Sequence, residues 1–400
     1  MACKKLNFCL CCKSNKLKGI LNLNKQPLAN SFLKSLNEKE KKYPLAVNTC
    51  LNCTHLQLTH IVSPTIIYKN YDYVSGTTKT YLNYMKDFFF ICKKNIDLEK
   101  PNSVFDIGCN DGSQLDVFKK KGFITCGIDP ARNIYKISKK KHKIFCNFFD
   151  GKFIKRINKK FDIIISQNSF AHNPNPSNFL KNIKKIMHNK SILVIQTSQA
   201  NMCINNEFDT IYHEHINFFN IKSMKLLVER SGLYLSRVIK NKIHGTSYIF
   251  IIKKYNQIDK RLNKQVRNEK YLNINYYKKW SKNCFNNVRN LKKILNSIPK
   301  KFKKIGYGAA AKSNTFLNFS KIKLDFIIDD NTLKQNKFTP GQKIPIFSIK
   351  ELSKYKKIKK IFFIPLAWNF FDEIKNKIQK FRKSNKDLFI KFHPYVKITR

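Results

Sequence analysis

Val104-Phe-Asp106-Ile-Gly108-Cys-Asn110-Asp-Gly112-Ser113, followed by Phe123-Ile-Thr-Cys-Gly-Ile128-Asp129, carries the pattern around which the chain is organised. Ser103 to Ile107 reads as a buried strand, Gly108 to Gly112 as a tight turn, and Gln114 to Lys121 as a helix. Ile124 to Ile128 reads as a second parallel strand that ends in a carboxylate. This is a βαβ nucleotide-binding unit. Glycine lets the backbone approach a ligand closely, and the acid closing the second strand sits where it can hold ribose hydroxyls.

Working outward, the alternation continues as a doubly wound α/β domain. Ile144–Phe148 and Phe161–Ser166 read as strands three and four, Ser177–Met187 as a helix, and Ser191–Gln196 as strand five. Ile221–Ser231 has helical spacing, and Tyr234–Ile239 with Ser247–Lys253 reads as a closing antiparallel pair at one sheet edge. Lys79–Lys94 is a helix leading in. Ligand then belongs over the carboxyl ends of the strands, beside Asp129, Gln167, Asn168 and Gln196. After a polar, helical stretch over 255–297, a second unit repeats the pattern. Its strand and Gly turn are Lys304-Ile-Gly306-Tyr-Gly308, and the following helix carries Lys312 and Asn314. Leu324–Asp330 and Lys359–Pro365 read as further strands, with a helix from Asp372. The repeat implies either a duplicated architecture or a second nucleotide ligand.

The first seventy residues are different in kind. Cys9-Leu-Cys-Cys12 and Cys50-Leu-Asn-Cys53 form two Cys-x2-Cys pairs with 37 residues between them. Four thiolates on two knuckles suit tetrahedral Zn2+ with no open position, which is a structural site. The wide separation requires an inserted loop, and Cys3 and Cys11 are spare thiols that leave the first knuckle's register open. Tyr68-Lys-Asn-Tyr71-Asp-Tyr73-Val-Ser75-Gly76 follows, rich in aromatics and hydroxyls. It fits a surface turn or a substrate-facing loop equally well.

Composition sets the outer bounds. A length of 400 residues allows two or three domains. The formal charge of +53 invites a nucleic-acid reading, but the 78 basic residues are scattered and Lys greatly outnumbers Arg. A chain-wide positive field suits any anionic substrate. No apolar leader follows the first lysines, and the longest apolar runs are far too short to span a bilayer. The expectation is a soluble, cytoplasmic protein whose 12 cysteines are ligands or free thiols rather than disulfides.

Chemistry concentrates at Asp209-Thr-Ile-Tyr212-His213-Glu214-His215. A His-Glu-x-x-His zinc helix is absent, so proton transfer is the better reading. An imidazole titrating near neutrality accepts a proton, a carboxylate fixes its tautomer, and a phenol holds a developing oxyanion. His172, just beyond strand four, faces the same crevice or serves as a structural histidine. His244, in the turn before the last strand, lines the pocket or simply makes a hairpin.

The Asp-x-Gly-x-x-x-Gly spacing of Asp106, Gly108 and Gly112 resembles motif I of S-adenosylmethionine (SAM) methyltransferases. The whole order of motifs resembles the sugar C-methyltransferases that act on nucleotide-linked ketosugars. The matching segments are Cys9/Cys12, Gln26-Pro-Leu-Ala-Asn30, Cys50/Cys53, Tyr71–Gly76, Asp106–Gly112 and Phe170-Ala-His172. Further along they are Tyr212–His215, Ile243–Ser247, Gly306–Asn314, Pro340-Gly341 and Ala367-Trp-Asn369. Thr246 and Ser313 depart from the pattern, each standing where the family favours Gly. The resemblance implies a zinc-binding and substrate-contacting domain over 1–75, a SAM domain over 76–254, and a helical linker plus Rossmann-like nucleotide-sugar domain over 255–400.

It also implies roles. His215 is the base that removes the C3 proton of a 4-ketosugar, Glu214 its polarising partner, and Tyr212 and His172 are enolate or sugar contacts. Asp106, Gly108, Asn110, Gly112, Asp129, Gln167 and Asn168 hold SAM. Tyr71, Tyr73, Ser75, His244, Lys312 and Asn314 hold the nucleotide-diphosphate sugar, and Cys9, Cys12, Cys50 and Cys53 hold zinc. The implied partner set is the sugar nucleotide alone, without nucleic acid or membrane, on a monomer or weak oligomer. The rival readings are an O- or N-methyltransferase, an RNA methyltransferase or RNA-binding protein, and a non-catalytic SAM-binding scaffold.

Overall fold

A computed structural model describes residues 2–68, 74–77, 79–243 and 245–400. The chain forms two compact units, each discontinuous in sequence. One comprises residues 1–18, 48–200 and 214–274; the other comprises 19–47, 201–213 and 275–400.

The expected insertion between the cysteine pairs is two long strands joined by a loop over residues 28–41. Strand β1 is Cys3–Lys5, β2 Leu17–Pro27, β3 Lys42–Cys50, β4 Leu56–Leu58 and β5 His60–Val62. The alternation Leu21-Asn-Leu23-Asn drives β2, burying both leucines while Asn22 and Asn24 stay exposed. Strand β5 pairs antiparallel with β1, and the short helix α1 (Pro64–Ile67) follows.

The first unit is built on a seven-stranded sheet. Helix α2 (Lys79–Asn95) leads into β6 (Ser103–Ile107), α3 (Ser113–Lys119) and β7 (Ile124–Ile128). Then come α4 (Arg132–Ser138), β8 (Lys143–Phe145), α5 (Gly151–Ile154), β9 (Phe161–Gln167), α6 (Pro176–Lys185) and β10 (Met187–Thr197). The two-residue β11 (Asn217–Phe218), α7 (Ile221–Arg230), β12 (Tyr234–Asn241) and β13 (Ser247–Lys253) complete it. The strand order is β12-β13-β10-β9-β6-β7-β8. The pairs from β10 to β8 are parallel, while β13 runs antiparallel to β10 and β12. The expected Rossmann-like sheet with an antiparallel pair at one edge is therefore present. Strand β10 starts four residues earlier than its apolar run, with a register shift between Met187 and Ile192.

The strands read as near-continuous apolar runs because both faces are covered. Phe105, Ile164, Leu193, Ile195 and Phe250 pack on one face with Phe179 and Ile183 of α6 and Met224 and Leu227 of α7. Val104, Ile163, Ile165, Val194 and Ile251 pack on the other with Phe88 and Phe89 of α2 and Leu115 and Phe118 of α3. Cys9, Cys11, Cys50 and Cys53 belong to the first of these cores, so the cysteine knuckles are part of this unit's interior.

In the second unit, α9 (Ile274–Ser297), which follows α8 (Lys260–Asn268) of the first unit, leads into a six-stranded sheet. Strands β14 (Lys303–Tyr307), β15 (Phe326–Ile328), β16 (Ile346–Phe347), β17 (Ile361–Pro365), β18 (Leu388–Lys391) and β19 (Lys397–Thr399) lie in the order β16-β15-β14-β17-β18-β19. All neighbours are parallel except β18 and β19. Helices α10 (Ala311–Ser320) and α11 (Phe371–Arg382) are its main crossovers. Among the described residues no helix is long and apolar enough to cross a membrane.

Gly127, in β7, leaves no room for a side chain. A Cβ there would lie 2.9 Å from both Cβ and Sγ of Cys109 and 3.1 Å from Cδ1 of Ile144. Gly127→Val is expected to destabilise the protein by about 1–3 kcal/mol through overpacking. A lowered urea midpoint with native zinc content checks this.

Candidate functional site

The loop after β6 is held open by its own backbone. Gly108, Asn110 and Gly112 all have positive φ, at 79°, 49° and 81°. A Cβ on Gly108 would sit 2.6 Å from Cβ of Ser169, so only glycine fits where the two loops approach. The carboxylate of Asp129, at the end of β7, accepts from the backbone N–H of Asn110 (3.0 Å) and of Ala131 (2.9 Å). Asn110 in turn accepts from the backbone N–H of Ser75 (2.9 Å), and Asp111 from that of Gly76 (3.0 Å). The segment at 75–76 is thus clipped onto the loop. On the neighbouring strand Gln167 donates to Gln196 (3.1 Å). Asn168 adopts φ 52° and leaves a buried side-chain oxygen without a partner.

The electrostatics of this loop are unusual for a chain of +53. Burial raises the carboxyl of Asp106 well above its ordinary range, and the charges of Asp129 and Asp111 raise it further. Burial also raises Asp129, against the two N–H groups that hold it down. A cationic ligand relieves such a carboxyl cluster. SAM carries a sulfonium and an amino group, and the open glycine cradle, the strand-end carboxylate and the orphaned Asn168 oxygen all suit it.

Two imidazoles meet in the same unit. The ring centroids of His172 and His215 are 5.2 Å apart with planes inclined at 35°. His172 lies in the turn after β9, and His215 two residues before β11. Strand β11 pairs antiparallel with β4 (Asn217↔Gln57), and Leu58 N–H donates to the Ile216 carbonyl. The Asn217 amide N–H donates to the carbonyls of Ala171 (3.3 Å) and Asn173 (2.8 Å), on either side of His172. Its oxygen lies 3.2 Å from Nε2 of His55, two residues beyond Cys53. Nδ1 of His215 lies 3.5 Å from the Gln199 amide nitrogen. Burial pushes His172 and His55 down to about 4, so both are neutral near pH 7. Nδ1 of His172 is 3.0 Å from the Tyr68 hydroxyl, while its Nε2 is buried without a partner.

The four-residue motif is divided. Glu214 and His215 belong to the first unit, Tyr212 and His213 to the second. Glu214 is buried and Tyr212 half-buried. His213 turns to the Tyr43 carbonyl (3.3 Å) and packs edge-on against the Tyr43 ring.

In the second unit Nζ of Lys312 lies 3.7 Å from Glu207 and over the Trp368 ring. The Trp368 indole donates to Asp209 (2.8 Å), whose other oxygen is 3.7 Å from Nε2 of His393. Asn314 is fully buried and donates to the Ala29 carbonyl (2.7 Å). No local pattern signals that Glu207, Asp209, Trp368 and His393 surround Lys312. Tyr68 and Gln199 were equally hidden, although Tyr68 opens the quoted aromatic run. Tyr71, Tyr73 and His244 lie outside the described residues.

The sulfur atoms of Cys9, Cys12, Cys50 and Cys53 all lie within 4.8 Å of one another. Cys9 and Cys53 are 3.6 Å apart, and Cys12 and Cys50 3.4 Å. Tetrahedral zinc with Zn–S of about 2.3 Å needs sulfurs about 3.8 Å apart, so the four fit the ion. Cys11 is excluded from the set, because its thiol donates to the Ser223 carbonyl at 3.0 Å.

Three family models match the chain in succession. They are a zinc binding domain over residues 9–68, a methyltransferase domain over 84–238, and a C-methyltransferase C-terminal domain over 242–392. The chain therefore has the three-part C-methyltransferase architecture, and it is a SAM-dependent C-methyltransferase with a zinc-binding N-terminal domain. It is similar to the C-methyltransferase NovU of Streptomyces niveus, at 24% identity over 386 residues, covering 92% of this chain and 91% of the relative. Among solved structures it resembles a SAM-dependent methyltransferase from Clostridium acetobutylicum (12% identity, TM-score 0.37, 44% of this chain and 92% of that one). Another is a SAM-dependent methyltransferase from Archaeoglobus fulgidus (16% identity, TM-score 0.36, 43% and 94%).

About one zinc per chain is expected by elemental analysis, lost in Cys50→Ser and retained in Cys11→Ser. Asn217→Ala is expected to keep its zinc and lower kcat by about tenfold or more, because the turn carrying His172 loses its anchor; an unchanged kcat would refute that role.

Proposed function

We propose that the substrate is a nucleotide-linked ketosugar, methylated at C3 beside a 4-keto group in deoxysugar or surface-glycan biosynthesis. The single observation that carries this reading is the pair of imidazoles beside the methyltransferase loop. Oxygen and nitrogen acceptors need at most one weak base, whereas a carbon acid needs a base and a group to hold the enolate oxygen. The order of motifs shared with sugar C-methyltransferases supplies the sugar and the position.

His215 is the proposed base. The amide of Gln199 has an unpartnered oxygen; with that oxygen turned to Nδ1–H of His215, Nε2 becomes the basic atom. The C3–H proton passes to Nε2 of His215, and the bonding electrons move into the C3–C4 bond as O4 gains negative charge. Glu214, buried beside it in sequence, is proposed to stabilise the imidazolium, and Tyr212 to contact the sugar. His172 faces O4. SAM, when bound, supplies the electrophilic methyl group; Asp106, Gly108, Asn110, Gly112, Asp129, Gln167 and Asn168 are the residues proposed to hold it. Tyr71, Tyr73, Ser75 and His244 are proposed sugar contacts. Lys312, with Asn314 bracing its helix, is proposed to meet the diphosphate.

Incubation with nucleotide-linked 4-ketosugars in D2O without SAM is expected to exchange the C3 proton, and His215→Ala to abolish the exchange. Methyl transfer to oxygen with C3–H intact would exclude the carbanion route.

A further inference from the structure

We infer that Tyr68 is a positioning residue: its phenol donates to Nδ1 of His172 and fixes that imidazole as the Nε2–H tautomer, which offers its proton to the substrate oxygen that becomes negative. This rests on the reading above and names a residue of the same site.

Three observations converge. The Tyr68 oxygen is 3.0 Å from Nδ1 of His172. The two rings are nearly parallel, at 19° with centroids 6.2 Å apart, and Phe148 packs edge-on against Tyr68 at 6.4 Å. Nε2 of His172 is buried with no partner. A phenol O–H is a stronger donor than a neutral imidazole N–H, and an imidazole lone pair a stronger acceptor than a phenol oxygen. The hydrogen bond therefore runs from Tyr68 to Nδ1, and the ring proton resides on Nε2.

The consequence is chemical. An N–H held without water presents a fixed dipole to a developing enolate oxygen, which costs no reorganisation at the moment of reaction. Neutrality matters because His215 lies 5.2 Å away. A charged His172 would oppose the imidazolium that forms on His215 as it takes the proton. The phenol thus separates two adjacent imidazoles into a donor and a base.

The test uses the full, zinc-loaded chain labelled with 15N-histidine. Without substrate, His172 is expected to carry its proton on Nε2 with Nδ1 accepting, and Tyr68→Phe to yield a mixture of tautomers. A wild-type spectrum with the proton on Nδ1 overturns the inference. With SAM and a nucleotide-linked 4-ketosugar, Tyr68→Phe is expected to lower kcat by about 10²-fold while KM stays within about threefold. A raised KM with unchanged kcat also overturns it. Should the wild-type chain show the Nε2–H tautomer yet exchange no C3 proton from such sugars, the positioning stands and the substrate reading falls.

Discussion

The side-chain amide of Asn217 is the constraint on which the candidate site depends. Its oxygen faces the His55 ring and its nitrogen donates to two carbonyls flanking His172, while its backbone sits in the strand that pairs with Gln57. The cysteine knuckle, the strand after it and the turn beyond β9 are fastened at one buried point. The His55 carbonyl accepts from the Cys50 N–H, closing the second knuckle's turn. Zinc at the four thiols therefore acts on geometry at a distance, through hydrogen bonds that water cannot replace in a sealed interior. A four-thiolate site with no open coordination position suits that structural role.

The two α/β sheets share a device and differ in how they use it. In each, a carboxylate ending the second strand ties down the glycine loop: Asp129 accepts from Asn110 and Ala131, and Asp329 from Ala309 and Asn331. In the second unit Lys334 lies 3.6 Å from Asp329 and donates to the Ala309 carbonyl. A cation from the chain thus stands beside the carboxylate that, in the first unit, is left beside an open loop. The likeness is architectural, and the charge beside each carboxylate differs.

Charge follows the same division between global and local. A chain of +53 favours anions everywhere except where carboxyls are gathered, and the loop with Asp106, Asp111 and Asp129 is such a place. Acidic residues are scarce, so their clustering at this loop is informative: it makes a local site suited to a cation within a field that otherwise favours anions.

The βαβ unit, the antiparallel edge pair and the two Cys-x2-Cys knuckles were legible in the amino-acid order, while the register of the first knuckle was settled by the Cys11–Ser223 contact. These depend on local period, on glycine conformations and on short spacings. Ile124–Ile128 and Ser247–Lys253 form the strands their apolar runs predict. The strands between the knuckles were present as the Leu21/Leu23 alternation but masked by polar neighbours. Where the side chains of His213 and His215 point was set by tertiary contacts alone. These sent His213 to a carbonyl 170 residues away and set His215 beside His172. They also gave His172 its partner in Tyr68, 104 residues earlier. Side-chain direction in an irregular loop is fixed by buried partners distant in sequence, and no local pattern encodes them.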